Sequence, residues 1–151
     1  MPNDALVRVR IVDLPIDVMR RSRWHHDELL REFELIAHAG GRAAVPARLL
    51  ELAAQLRDRY AAFTEEPTRA LEDAAARGET LTSVDYDVPA DIGPAARDLD
   101  AMLDEVDDFC RTGDLLTLAT PPEVLRFRRW FLHEFARQTS GEPPLPWSPA
   151  S

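Results

Sequence analysis

The sequence predicts an α+β domain of four or five helices packed with a small two- or three-stranded sheet. Two observations carry this. Residues 6–12 (LVRVRIV) and 83–88 (SVDYDV) alternate apolar with charged positions, the period of two required of a strand buried on one face. Four longer segments space their apolar residues at three and four, the period of an amphipathic helix.

Taken in order, the first strand runs through Val7, Val9 and Ile11 and stops at Asp13-Leu14-Pro15. The first helix follows from Ile16 to about Ala39, with Val18, Met19, Ser22, His26, Leu29, Phe33 and Ile36 on its apolar face and Gly40-Gly41 at its end. A second starts at Pro46, a residue favoured in a first turn, and carries Leu49, Leu52, Leu56, Tyr60 and Phe63. Proline has no N–H for the helical ladder, so Pro67 predicts either a kinked continuation or a new helix capped by Thr64. The second strand places Val84, Tyr86 and Val88 on one face. Its Asp85 and Asp87 are opposite in sign to Arg8 and Arg10, so the two strands should pair with these charges facing each other. A third helix spans Pro94 to about Arg111. Residues 115–120 (LLTLAT) are apolar and bounded by turn residues, which suggests a third strand, since two strands alone are marginal. Thr120-Pro121-Pro122-Glu123 reads as a capping box opening the last helix. One domain over residues 1–138 is expected, followed by a proline-rich flexible tail at 139–151.

Composition narrows the function classes. The net charge of −9, from 27 acidic against 18 basic residues, disfavours a nucleic-acid partner, because neutralising phosphates requires cationic excess. Every basic residue is arginine, as in chains from GC-rich genomes. One cysteine, Cys110, allows no internal disulfide and no CxxC site; it lies on an apolar helix face and reads as an inert core thiol. No run of apolar residues is long enough to span a membrane, and no signal-like N-terminus precedes the first strand, so a cytoplasmic location is expected.

Three clusters invite a chemical reading. In HHDELLREF, helical spacing places His25, Glu28 and Glu32 on one side, and His26 on the apolar face with Ser22, Leu29 and Phe33. His26 should then be buried and His25 exposed. A metal site or a helical-bundle enzyme centred on His25, Glu28, Glu32 and His133 is the alternative reading; the two histidines point apart, and an inward site needs ligands from facing helices. In LRFRRWFLHEF, the ridge of Val124, Phe127, Phe131 and Phe135 is core, whereas Trp130 with Arg126, Arg129, His133 and Arg137 forms a candidate partner-binding surface, since Trp and Arg are enriched at interfaces; the other reading of Trp130 is a partly buried residue filling the sheet–helix junction. Arg126, Arg128 and Arg129 complement the acids of residues 98–108. Those acids lack the glycine and spacing of a calcium loop. Nucleophile elbows and phosphate-binding glycine loops are missing from the sequence, and no catalytic residue or cofactor is expected.

Two segments, LPIDVMRRSRWHHDELLREFELIA (14–37) and GDLLTLATPPEVLRFRRWFLHEFARQ (113–138), resemble small actinobacterial-type regulatory proteins associated with anti-sigma and partner-switching signalling. The second segment is also similar to the C-terminal strand and helix of histidine-kinase-like ATPase regulators of that group. Such ATPases hold nucleotide with an asparagine-containing box and a glycine-rich lid, whereas this chain has Asn3 as its single asparagine. The resemblance therefore implies a regulatory binding module and not a kinase, a non-enzymatic protein–protein interaction module in bacterial signalling; charge and hydropathy argue against nucleic acid and membrane as partners.

Overall fold

The two alternating segments do pair. In the computed structural model, which describes residues 5–38, 44–113 and 115–148, strand β1 (Leu6–Pro15) runs antiparallel to β2 (Leu81–Pro89), with Arg8 opposite Asp87 and Arg10 opposite Asp85. Arg8 Nε donates to Asp87 Oδ1 at 2.9 Å, and Arg10 Nε lies 3.8 Å from Asp85 Oδ1. The Arg8–Asp87 pair is solvent-exposed and contributes at most about 1 kcal/mol, while Asp85 is partly buried, its Oδ1 enclosed without a hydrogen-bond donor. The apolar alternation matters more: Val9, Ile11, Val84, Tyr86 and Val88 all turn inward and are buried. A bulge interrupts the ladder between Ile11 and Leu14, where Asp13 adopts a positive φ of 58° and its N–H turns to Ser83 Oγ.

Among the described residues, four α-helices surround this sheet: α1 (Ile16–His38), α2 (Ala44–Ala76), α3 (Ile92–Thr112) and α4 (Pro122–Thr139). The Gly40-Gly41 stop and Asp114 lie outside the described residues, as does the side chain of His38. Pro67 does not break α2, which continues through it as one helix. The reason is packing: Pro67 is itself buried, and the turn beyond it carries Leu71 and Ala74 into the core beneath the sheet. Of the two arrangements the sequence leaves open at Pro67, the continued helix is the one formed, and Thr64 donates its hydroxyl to the Ala61 carbonyl within it. Where α3 begins, Gly93 meets the end of α4 so closely that a Cβ would lie 2.5 Å from Thr139 Oγ1.

Residues 115–120 are not a strand. They form a 3₁₀ turn at Leu116–Leu118, folded back so that the Leu115 N–H donates to Cys110 O and Leu115 and Leu118 cover the far end of the bundle. A short apolar run without alternation fits a buried turn as well as a strand, and the sheet therefore has two strands. The capping box is also absent. Pro121 precedes α4 with no side-chain cap, Thr120 turns to Asp107, and Glu123 pairs with Arg21 of α1.

The free edge of β1 is covered. Gln138 of α4 behaves as a substitute strand, its amide accepting from Arg10 N at 2.7 Å and donating to Arg10 O at 2.8 Å. Beyond it, residues 140–148 have no regular structure but lie against the body of the domain. Trp147 N donates to Val12 O, Trp130 Nε1 donates to Leu145 O, and Leu145 N donates to the buried carboxylate of Glu134. Trp147 packs against Phe127 and Trp130, with ring centroids 6.0 and 5.4 Å away.

The Trp130–Trp147 contact makes a stability prediction. Each of Trp130→Ala and Trp147→Ala removes a half-buried indole and should destabilise by about 1–3 kcal/mol in urea unfolding. The double variant should lose less than the sum of the two, since both truncations delete one shared contact. Full additivity would show that the tail does not hold this position.

Candidate functional site

Two buried clusters make up the interior, and they are not continuous. One lies under the sheet, joining Val9, Ile11, Val84 and Val88 to Leu71, Phe127 and Phe135; the other lies at the far end of the bundle, joining Leu29, Phe33 and Leu49 to Leu103, Val106 and Cys110. Two hollows open between the helices at the junction. The first, about 260 Å³, receives Ser22, His25 and His26 from α1, Leu103 from α3, and Phe127 and Arg128 from α4. The second, about 390 Å³, receives Tyr60 and Thr64 from α2, Ile92 and Ala96 from α3, and Phe135 from α4. Arg23, Tyr86, Leu99, Phe131 and Leu132 line both.

The polar groups around these hollows have distinct environments. Tyr86 is 5% exposed, and its phenol is pushed up to about 12 by burial, against the opposing pull of the Arg23 charge. Both histidines line the first hollow; His26 is mostly buried, as its place on the apolar face predicts, whereas the expectation of a mostly exposed His25 is corrected. The reason is the breadth of the opening: positions 22, 25, 26 and 29 all face it. Burial holds both imidazoles below their ordinary 6.5, in His25 against the nearby charge of Asp107, in His26 against that of Asp27.

One wall of the first hollow is fastened by a buried ion network. Arg128 of α4, 8% exposed, donates from Nε to Asp100 Oδ1 at 3.1 Å and from Nη2 to Asp104 Oδ1 at 2.7 Å. Its Nη1 lies 3.5 Å from Asp107 Oδ2 without hydrogen-bond geometry. Asp107 is satisfied from the other side, where Oδ1 accepts from Thr120 N and Oγ1 at 3.0 and 2.8 Å. Asp100, Asp104 and Asp107 recur at four and three on α3 and so share a face. Burial alone would raise the Asp104 carboxyl, but hydrogen bonding from Arg129 and the charges of Arg128 and Arg129 outweigh it and hold it low.

The candidate partner-binding residues of α4 divide between two directions. Arg129 pairs with Asp104 at 2.6 Å and His133 Nε2 lies 3.2 Å from Asp100, so both face α3. Arg137 bonds Glu134, Glu142 and the Pro143 carbonyl, and Trp130 is half-buried against Trp147, so both face the tail. Arg126 is exposed and forms no ion pair among the described residues. Of the alternative cluster, Glu28 pairs with Arg31 and His133 with Asp100; among the described residues no group of three or more His, Cys, Asp or Glu side chains is placed to hold a metal ion. Cys110 is fully buried, its thiol pushed up to about 11 by that burial.

Trp24 on α1 is 67% exposed, and the reading of the sequence passed over it. Its position was legible, because residue 24 falls about half a turn from Ser22 and hence from the apolar stripe. Comparisons with protein-family models, curated proteins and solved structures find no match to this chain. No helix among the described residues is long and apolar enough to cross a membrane.

Two consequences can be measured. Arg128→Ala strands Asp100 and Asp107 as buried carboxylates without their cation, and should cost about 3–5 kcal/mol in urea unfolding. Arg126→Ala, which leaves no carboxylate unpaired, should stay within about 0.5 kcal/mol of wild type. The histidines set a pH dependence. Their folded values lie below the unfolded 6.5, so the unfolded chain binds more protons in that window, and stability is complete above it and declines as pH falls toward the folded values. Thermal melts between about pH 7.5 and about pH 5.5 should show this decline, and His26→Gln should flatten it; an unchanged slope would remove His26 from the account.

Proposed function

We propose that this chain is a non-enzymatic protein–protein interaction module of bacterial partner-switching type, acting in the cytoplasm. The observation that carries the reading is Trp24: a tryptophan two-thirds exposed on an ordered helix, inside the segment 14–37 that bears the resemblance. An indole left in water on a rigid element is the residue type most enriched at interface hot spots. Arg20 and Arg21 lie one turn before it, Asp27 and Glu28 one turn after, and the exposed Leu35 lies three turns along the same side. An apolar anchor within a polar rim results.

The α4 surface supports the reading less well. Arg129, His133 and Arg137 are engaged within the chain and Trp130 is occupied by Trp147, which leaves Arg126 as its free cation. Partner recognition is accordingly assigned to the outer face of α1, with Arg126 a secondary contact at most.

A photo-crosslinker at position 24, used in the native host, should trap one protein of the anti-sigma or antagonist class. Trp24→Ala should weaken binding of that purified protein by about thirtyfold or more, with the melting temperature unchanged. Affinity that survives Trp24→Ala but is lost with Arg126→Ala would move the interface to α4. Failure to trap any such protein would overturn the proposal.

A further inference from the structure

The two hollows differ in charge from the molecule around them. The chain carries −9, yet neither hollow is lined by an aspartate or glutamate, while Arg23, Arg57, Arg128 and two histidines line one or both. Arg128 is neutralised by the α3 acids, but Arg23 and Arg57 form no ion pair among the described residues. Arg20, Arg69, Arg97 and Arg126 are likewise without an ion pair among the described residues, so what sets Arg23 and Arg57 apart is their place at the hollows. Between them stands Tyr86, nineteen-twentieths buried, whose hydroxyl has no hydrogen-bond partner among the described residues. The ring is buried, but the hydroxyl oxygen is not sealed off from the hollows, so it can donate to an acceptor seated there.

The rest of the lining is apolar. Leu99, Phe131 and Leu132 form a wall common to both hollows, and the volumes of about 260 and about 390 Å³ lie in or near the range of small-molecule sites. An apolar body with one acidic group satisfies every feature at once: its hydrocarbon covers the shared wall, and its anion meets the Tyr86 hydroxyl and the free guanidinium groups.

We propose that the two hollows form one binding site for a small apolar acid, with Tyr86 and Arg23 holding its anionic group and Leu99, Phe131 and Leu132 its hydrocarbon. The site is separate from the outer face of α1 and does not depend on the partner-binding reading. Arg57, exposed at the second hollow, attracts the anion without being required to contact it.

Decanoate is a suitable probe, titrated into the full chain by calorimetry and compared with 1-decanol and decyltrimethylammonium. Saturable one-to-one binding of decanoate is expected, with the alcohol and the cation at least about tenfold weaker, as the loss of a charge-assisted hydrogen bond dictates. Arg23→Gln should weaken decanoate about tenfold, and Tyr86→Phe several-fold, roughly the value of one hydrogen bond. Neither variant should lower the melting temperature, since Arg23 is exposed and the Tyr86 hydroxyl has no partner to lose. Arg20→Gln, the same charge change on α1 outside either hollow, should leave binding unaltered. The proposal is overturned if decanoate does not saturate, if the three probes bind alike, if Arg23→Gln and Tyr86→Phe bind as wild type does, or if Arg20→Gln weakens binding as much as Arg23→Gln.

Discussion

The contact between Arg128 and the acidic face of α3 is the constraint on which the remaining architecture depends. Three carboxylates one turn apart cannot be brought against another helix unless a cation accompanies them, because desolvating unpaired charge costs several kcal/mol per ion. Arg128 supplies that cation from inside the α3–α4 interface and so fixes how the two helices lie along each other. The same network reaches the chain segment between them: Thr120 satisfies the outer side of Asp107, which seats the 3₁₀ turn and the start of α4. Buried ion pairs are weak sources of net stability, and their better-attested role is to specify one arrangement over others. That role fits here, since an apolar face alone would let α4 slide or rotate on α3.

Specification is needed because the centre is open. A core divided into two clusters by hollows loses packing contacts where a helical bundle would ordinarily gain most. The structure offsets this at its periphery. A two-stranded sheet is marginal by itself, but β1 is held on one edge by β2 and on the other by the Gln138 amide and the Trp147 N–H. Covering that edge also removes a template for pairing with another chain. Glu134, 1% exposed, joins α4 to the tail by accepting from Arg137, Gln138 and Leu145.

Legibility in the sequence followed the reach of each signal. The strand pairing was readable because periodicity and opposite charge agree at Arg8, Arg10, Asp85 and Asp87, two independent constraints on one register. The helices were readable from apolar spacing. What failed were inferences that needed to know which partner a local group would choose: Thr120 was available to cap α4 but is taken by Asp107, thirteen residues away. At Pro67 the sequence leaves a continued helix and a new one both open, and packing decides for continuation. Arg126, Arg128 and Arg129 look equivalent in sequence; only the rotation of α4 against α3 decides that Arg128 is buried and Arg126 free. The hollows were unreadable for a related reason. Leu99, Leu132 and Phe131 belong to ordinary apolar stripes, and no periodicity says whether facing stripes meet.

Helix α1 joins these features. Arg23 and Trp24 are consecutive residues, and about 100° of helical rotation separates a side chain lining the hollows from one in open solvent. Inward, α1 contributes much of the first hollow; outward, it carries the exposed indole; at its N-terminal end it is tied to α4 through Arg21 and Glu123. A molecule in the hollow and a partner on the outer face would therefore act on one rigid element. If seating either one shifts α1 against α4, the two binding events are coupled, and linkage requires the coupling to be equal in both directions.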